Sequence, residues 1–198
     1  MDNQFTKGEY HISIRVTFPE LVKNIIKVEK NRLASQYESK YKSDPHITLY
    51  LTKDTLNEYP EEAFKDLIKG LQEIKTEPFD VTILAPKITQ EINRRRNFYV
   101  LDVACSEDLT ELRKQVRNVA THYQKSISSG LNNKDEEPHI TLAGVDFDKT
   151  QPDLIEIEKN IRHVIGEIIH ISSMTVFFYF KESTEDKAKS LGETVISF

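Results

Sequence analysis

The sequence predicts an α+β protein built as one domain, or as two small lobes that share a core. Three observations support this prediction. The chain has 198 residues and 38% hydrophobic content, which is enough for a sizeable core. Helical and strand-like segments alternate in two similar groups. The pentapeptide PHITL occurs at 45–49 and again at 138–142, nearly half the chain length away, which indicates an internal repeat.

The first group opens with an alternating segment at 11–18 that predicts a strand with its apolar residues on the buried face. Apolar residues then recur at helical spacing from Glu20, and this helix must end before Pro45 because the residue before a proline avoids helical dihedrals. A strand follows with the first PHITL. Pro60 and the acidic residues after it begin the next helix, which ends by Pro78.

Two strand-like segments close the first group, at 79–85 and 97–105. They are joined by the polar segment 86–96, which carries three consecutive arginines at 94–96. This pattern predicts an antiparallel ribbon with a long basic connection.

The second group repeats the order. A helix begins at Ser106, the polar loop 126–137 follows, and the second PHITL strand comes next. Apolar spacing predicts a helix from Asp153 through Ile168, then a strand at 170–180 and a short terminal strand at 193–198. We expect a single domain over 1–198 with lobes at roughly 1–105 and 106–198, and exchange of strands between lobes stays open. Each lobe is expected to be an antiparallel sheet with helices on one face.

Charge and composition limit the function classes. A net charge of −5 and a pI near 5.7 argue against a protein that holds long nucleic acid by general phosphate attraction. A short nucleic acid, or the end of one, is still compatible with this charge as a substrate. A single cysteine, Cys105, excludes an intramolecular disulfide, and the first residues lack the features of a targeting peptide. We therefore expect a cytoplasmic protein without membrane association, and we infer no obligate protein partner.

The period of a strand indicates which residues of the repeat share a face. Alternation predicts two polar sets on the open faces: His46, Thr48 and Tyr50 in the first copy, and His139, Thr141 and Ala143 in the second. The intervening apolar residues are expected to pack on helices: Ile47, Leu49, Leu51, Ile140 and Leu142. Each copy thus presents a histidine and a threonine about 7 Å apart.

Two such pairs suit in-line transfer at a phosphodiester. One histidine takes a proton from the attacking hydroxyl or water, and another gives a proton to the leaving oxygen. Threonine hydroxyls donate to the non-bridging oxygens, where charge builds. A lone strand histidine is more often a surface or core residue, but duplication within the same pentapeptide favours catalysis by His46 and His139.

The sequence here resembles the 2H phosphoesterases, whose signature is two H-x-[ST]-hydrophobic motifs about half a chain apart. Residues 46–49 and 139–142 both match without departure. The resemblance covers essentially the whole chain and implies a two-lobed, pseudo-symmetric fold with both motifs in a central cleft. It also implies a metal-independent phosphodiesterase without a cofactor, acting on RNA 2',3'-cyclic phosphate ends, small cyclic nucleotide phosphates or 2',5'-linked oligonucleotides.

By this resemblance, His46 and His139 are the general acid and base, in an order that the sequence leaves open, and Thr48 and Thr141 hold the phosphate. The alternative from another class is a nucleotide- or RNA-end-binding module with little turnover. The presence of Thr48 and Thr141 favours the enzyme, because a binder does not need two proton-transfer groups in register.

Further residues are candidate substrate contacts, each with a structural alternative. Tyr50 is positioned to stack on a base or to pack across strands, and Arg15 to reach a phosphate or to face solvent. Tyr179 and Phe177 are base-platform candidates, although core packing is common for such a strand. The arginines at 94–96 fit a solvated loop better than an RNA clasp.

Other chemistries find little support. None of the six histidines has a second histidine or cysteine at zinc-ligand spacing, so no metal site is predicted. Nothing in the sequence indicates an activated thiolate at Cys105, and no glycine-rich phosphate loop of the G-x-x-x-x-G-K type occurs.

Overall fold

The computed structural model describes residues 8–39, 43–56, 61–92, 95–104, 106–124, 137–182 and 189–198. Arg94, Cys105 and residues 126–136 of the predicted polar loop lie outside the described residues. The described residues form eight strands and four helices, in this order: β1 Gly8–Thr17, α1 Glu20–Tyr37, β2 His46–Leu56, α2 Glu61–Gln72, β3 Phe79–Glu91, β4 Arg96–Val103, α3 Glu107–Gln124, β5 His139–Asp146, α4 Leu154–Ile161, β6 Ile168–Ile171, β7 Ser173–Glu182 and β8 Lys189–Ser197.

The strands form two antiparallel sheets of four. The first sheet has the order β2-β1-β7-β8 and the second has the order β5-β4-β3-β6. Each sheet therefore takes two strands from before residue 105 and two from after it. The strand that carries a PHITL segment is an edge strand in both sheets, and β2 and β5 contact each other. The predicted α+β class and its two antiparallel sheets are confirmed.

The helices cross between the sheets. Helix α1 follows β1 of the first sheet, packs against β5 of the second sheet and against α4, and then returns to the first sheet as β2. Helix α3 follows β4 of the second sheet and packs on β2 of the first sheet and on α2. On the first sheet, the ring of Phe64 in α2 stacks on the buried ring of Phe178 at 4.7 Å. The two lobes are thereby joined by helices as well as by strands.

Local sequence explains where the helices begin. Helix α1 follows Pro19, begins with Glu20, and ends at Glu38 in the left-handed conformation. The Ser106 hydroxyl accepts the Leu109 N–H at 3.1 Å at the start of α3. The Asp153 carboxylate does the same for the Ile155 N–H at 2.9 Å at the start of α4.

Two predicted elements differ in the structure. Helix α4 ends at Ile161 instead of continuing to Ile168, because the chain turns at Gly166, which has a φ of 80° and donates its N–H to the Ile83 carbonyl at 2.8 Å. The predicted strand at 170–180 divides at Ser172 into β6 and β7, which belong to different sheets.

The predicted ribbon between 79 and 105 is present as β3 paired with β4, but its connection is short. Strand β3 continues through Glu91 and β4 begins at Arg96, so most of the segment assigned to the link is strand. None of the helices formed by the described residues is long and apolar enough to span a membrane.

Burial along α1 gives a stability prediction. Leu33 has no exposed surface and lies in the hydrophobic core, whereas Leu21 on the same helix is 74% exposed. Leu33→Ala is expected to lower the free energy of unfolding by about 2 to 5 kcal/mol, because it leaves a cavity in the hydrophobic core. Leu21→Ala is expected to change it by less than about 0.5 kcal/mol. Denaturant unfolding of both variants checks this, and equal losses would contradict the packing described here.

Candidate active site

The two motif strands bring their histidines together from facing sheet edges. His46 is the first residue of β2 and His139 is the first residue of β5. The charge of His139 is close enough to influence the pKa of His46. The structure thus brings the two predicted catalytic residues into one site, with Thr48 and Thr141 two residues further along their strands.

Each histidine makes an equivalent hydrogen bond to the backbone carbonyl two residues before it. The Nδ1 atom of His46 lies 2.6 Å from the Asp44 carbonyl oxygen, and Nδ1 of His139 lies 2.9 Å from the Glu137 carbonyl oxygen. Because a carbonyl can only accept, each Nδ1 must carry the hydrogen. In the neutral ring, Nε2 is then the unprotonated nitrogen that is available to accept a proton. The repeat therefore extends upstream to an acidic residue, a proline and the histidine, with one tautomer fixed in both copies.

Each motif also contains a β-bulge at the same position. In the β1–β2 pairing, Ile14 lies opposite Tyr50 and Arg15 opposite Thr48, so that Leu49 is the extra residue. In the β4–β5 pairing, the partners of Tyr99 and Val100 are Ala143 and Thr141, and Leu142 is the extra residue. A bulge reverses the alternation of side chains beyond it. The hydrophobic position of each H-x-T-hydrophobic motif is thus the bulged residue.

The bulge corrects the prediction for Tyr50. Tyr50 lies opposite the core residue Ile14 and is only 4% exposed, which favours packing across the strands over stacking on a base. Leu51, which was expected in the core, lies opposite Ser13 and is 36% exposed. Ala143 is likewise buried, opposite Tyr99, and does not share the face of His139.

Arg15 lies beside the first motif, as the cross-strand neighbour of Thr48. Its guanidinium carbon is 4.7 Å from the ring centroid of Phe177 and 5.6 Å from that of Tyr179, and its Nε donates to the Ser13 hydroxyl at 2.7 Å. The two rings are parallel within 9° at 5.9 Å and form an aromatic pair. No ion pair joins Arg15 to a carboxylate of the described residues. Its charge is therefore available to an anion at the site.

The alternation on β7 separates the aromatic residues. Phe177 and Tyr179 are partly exposed on the face of Arg15, whereas Phe178 is fully buried and Phe180 packs against the core. Burial raises the pKa of the Tyr179 hydroxyl above its usual value, and the nearby Arg15 partly offsets this.

Lys30 is a site residue that the sequence analysis missed. Its side chain is 3% exposed, and its ammonium donates to the Thr141 carbonyl at 2.7 Å. Burial lowers the pKa of Lys30 to about 8; the charge of Asp44 opposes this shift and that of Arg15 adds to it. A helical lysine is normally expected at the surface. The available signal was spacing, because Lys30 shares the face of the buried residues Ile26 and Leu33.

These cations act on His46. The pKa of His46 is lowered to about 3, mainly by burial; the charges of Arg15, Lys30 and His139 contribute to this shift, and the contact with the Asp44 carbonyl opposes it. His46 is therefore neutral at neutral pH, with Nε2 free to accept a proton. The concentration of positive charge around it suits an anionic ligand.

The surroundings of the second motif are different. Asp102 lies opposite His139 and accepts from the Lys87 ammonium at 2.8 Å, and Lys87 also reaches the Glu137 carboxylate at 2.8 Å. Opposite Thr141 lies the buried Val100, in the place that Arg15 occupies opposite Thr48. The two motifs are alike in backbone, but among the described residues the cationic charge without a carboxylate partner is concentrated near the first.

The basic cluster at 94–96 is only partly described. Arg95 is exposed and has a φ of 51°, and Arg96 Nε donates to the Asp146 carboxylate at 2.7 Å, which ties the end of β4 to β5. Arg96 thus has a structural partner.

Comparison with known proteins agrees with this arrangement. A model of the 2'-5' RNA ligase superfamily matches residues 18–164, a range that includes both motifs. The structure of E. coli LigT complexed with 3'-AMP is 15% identical, with 95% of this chain and 98% of that chain aligned and a TM-score of 0.60. TT0787 of Thermus thermophilus is also 15% identical, with 94% and 97% aligned and a TM-score of 0.60. A search of curated proteins gave no match.

The fold and the paired H-x-T motifs together define a phosphoesterase of the two-histidine class. The chain belongs to the 2'-5' RNA ligase superfamily, and the resemblance to the 2H phosphoesterases is confirmed. Members of this superfamily are phosphodiesterases and ligases that act on RNA.

The low pKa of His46 gives a prediction for stability against pH. The unfolded histidine has a pKa near about 6.5, so between pH 6.5 and 3 the unfolded chain binds a proton that the folded chain excludes. The free energy of unfolding is therefore expected to fall as the pH is lowered through this window. His46→Gln should reduce this dependence, whereas the exposed-site control His163→Gln should keep it. Denaturant unfolding between pH 3 and 7 measures the pH dependence of both variants. Identical pH profiles for wild type and His46→Gln would refute the lowered pKa of His46.

Proposed function

We propose that this chain is a metal-independent phosphodiesterase that acts on nucleotide or RNA phosphodiesters, with His46 as general base and His139 as general acid. The main support is the pairing of two histidines whose Nδ1 hydrogens are fixed by carbonyls. Their Nε2 atoms are thereby reserved for proton transfer.

The assignment of the base follows from electrostatics. A general base must be unprotonated, and the pKa of about 3 keeps His46 in that form. Its Nε2 takes the proton of the attacking water or hydroxyl, whose oxygen forms the new bond to phosphorus. His139 then supplies a proton from Nε2 to the leaving oxygen as its bond to phosphorus breaks. Thr48 and Thr141 donate hydrogen bonds to the non-bridging oxygens.

Arg15 supplies charge to the same phosphate. It neighbours Thr48 across the strands, and the aromatic pair of Phe177 and Tyr179 supports its guanidinium. A guanidinium held in this way binds a phosphate without first leaving a carboxylate partner. Contact of Tyr179 with the substrate is part of this proposal.

Nucleotides are the ligand class that the comparisons favour. Structures of E. coli LigT are complexed with phosphate, 3'-AMP, ATP and NADP+. The preferred substrates here are 2',3'-cyclic phosphate ends and 2',5'-linked oligonucleotides. The alternative is a nucleotide- or RNA-end-binding module with little turnover, which the cationic surroundings of His46 would also serve.

Turnover on a small substrate panel tests the catalytic assignment. The panel contains nucleoside 2',3'-cyclic phosphates, a 2',5'-linked adenylate trimer and a 3',5'-linked trimer, each incubated in EDTA. His46→Ala and His139→Ala are each expected to abolish nearly all cleavage, because each removes one proton-transfer group. The control His163→Ala, at an exposed position, should retain it.

The outcomes separate the two candidate functions. Cleavage of one substrate class that is lost in both histidine variants supports the enzyme, and the position of the remaining phosphate identifies the bond that breaks. Binding of a nucleotide without turnover supports the binding module. Cleavage that occurs without EDTA but is lost when EDTA is added would refute the metal-independent mechanism.

Thr48 provides a graded prediction. Thr48→Ala is expected to lower kcat by about 10- to 1,000-fold, as loss of one charge-stabilising donor usually does. Thr48→Ser keeps the hydroxyl and should retain most of the activity. Steady-state kinetics on the preferred substrate compare the two, and an equal loss in both variants would argue against a hydrogen bond from the hydroxyl.

A further inference from the structure

Lys30 is a buried cation whose buried neighbour in sequence, Glu29, is paired with a different side chain. The Lys30 side chain extends from α1, which connects two strands of the first sheet, to the Thr141 carbonyl on β5 of the second sheet, 111 positions along the chain. No ion pair joins it to a carboxylate in the part of the chain that the structure describes. Asp44, whose negative charge raises the pKa of Lys30, is itself paired with Lys27, with 2.7 Å between Asp44 Oδ1 and Lys27 Nζ.

Packing alone does not explain a lysine at this position. A buried ammonium loses most of its hydration, and a single hydrogen bond to a neutral carbonyl offsets only part of that cost. Ile26 and Leu33, on the same face of α1, are fully buried, so leucine or methionine would satisfy the helix packing. A costly buried charge beside perturbed titratable groups is typical of functional sites.

The contact holds the bulged segment of the second motif. Thr141 and Gly144 flank the bulge at Leu142, and residues of α1 or just beyond it bind both ends. Lys30 binds the Thr141 carbonyl, and the Ser39 hydroxyl accepts the Gly144 N–H at 3.1 Å. Both contacts come from the segment that leads directly into β2 and His46. The two motifs are therefore connected by a short path through α1.

We propose that Lys30 is a positioning residue of the active site, whose ammonium fixes the second H-x-T strand against the first and places a fixed positive charge between them. The kinetic part of this inference rests on the proposed phosphodiesterase function. The charge also lowers the pKa of His46. The charged or titratable groups close to Lys30 and His46 are Arg15 on β1, Asp44 before β2 and His139 on β5.

Three substitutions separate the hydrogen bond from the charge. Lys30→Met removes both, Lys30→Gln keeps a donor without charge, and Lys30→Arg keeps a donor and the charge. Lys114→Met, at an exposed position on α3, is the matched control. Each protein is examined by thermal unfolding, by NMR titration of the His46 ring and by kcat/KM against pH.

Lys30→Met is expected to lower kcat/KM by about 10- to 100-fold, mainly through kcat, because the second motif shifts relative to the first. Its unfolding midpoint should be equal to or higher than that of the wild type, since a buried charge is removed. The His46 titration and the acidic limb of the pH profile should move to higher pH in the Met and Gln variants. Lys30→Arg should recover activity relative to Met and leave the titration near its wild-type position.

Two results would overturn the inference. One is a Lys30→Met protein with wild-type turnover and an unchanged His46 titration. The other is a parallel loss of stability and activity with that titration unchanged, which describes a structural tie only. Absence of turnover in the wild type would refute the proposed function separately. In that case the His46 titration in Lys30→Met still decides, with a shift supporting the placement of charge and no shift refuting it.

Discussion

The approach of two edge strands, β2 and β5, is the constraint on which the site depends. Each sheet ends in its own motif strand, so the outer edges of the motifs face each other instead of pairing with further strands among the described residues. Unpaired strand edges are normally protected or covered. Here the protection comes from the crossing helix and the residues just beyond it, because Lys30 and Ser39 bind polar groups of β5. In our proposal, the contact from Lys30 also positions the second motif strand relative to the first.

The internal repeat made the central residues predictable. A histidine and a threonine at period two, in two identical pentapeptides, required only that both segments be strands. The α+β class and the class of chemistry followed from the same repeat. Tyr50 could not be placed, because alternation assumes an uninterrupted strand and the bulge at Leu49 adds one residue. Nothing in the letters of a single PHITL segment distinguishes a bulged leucine from a regular one.

Lys30 and α4 escaped prediction for different physical reasons. The apolar spacing of α1 was visible, but a lysine within a buried stripe is disfavoured energetically, and its hydrogen bond to β5 is visible only in the tertiary structure. In α4 the apolar positions continued in helical period beyond Ile161, and the turn at Gly166 was decided by the carbonyl of Ile83 on a distant strand. Neither long-range contact, the backbone hydrogen bond of Gly166 or the side-chain hydrogen bond of Lys30, can be read from local sequence.

The asymmetry between the lobes bears on how the proposed chemistry is controlled. The two histidines make equivalent backbone contacts, but their surroundings differ in charge. Arg15 and Lys30 concentrate positive charge near His46. Lys87, beside His139, is neutralised by Asp102 and Glu137. In the free site burial, together with this charge, keeps His46 unprotonated but makes it a weak base. A bound phosphate brings negative charge to the same place, and an opposite charge nearby raises the pKa of a histidine. The ligand would therefore strengthen the base when the substrate is in place, and proton transfer would be restricted to the occupied site.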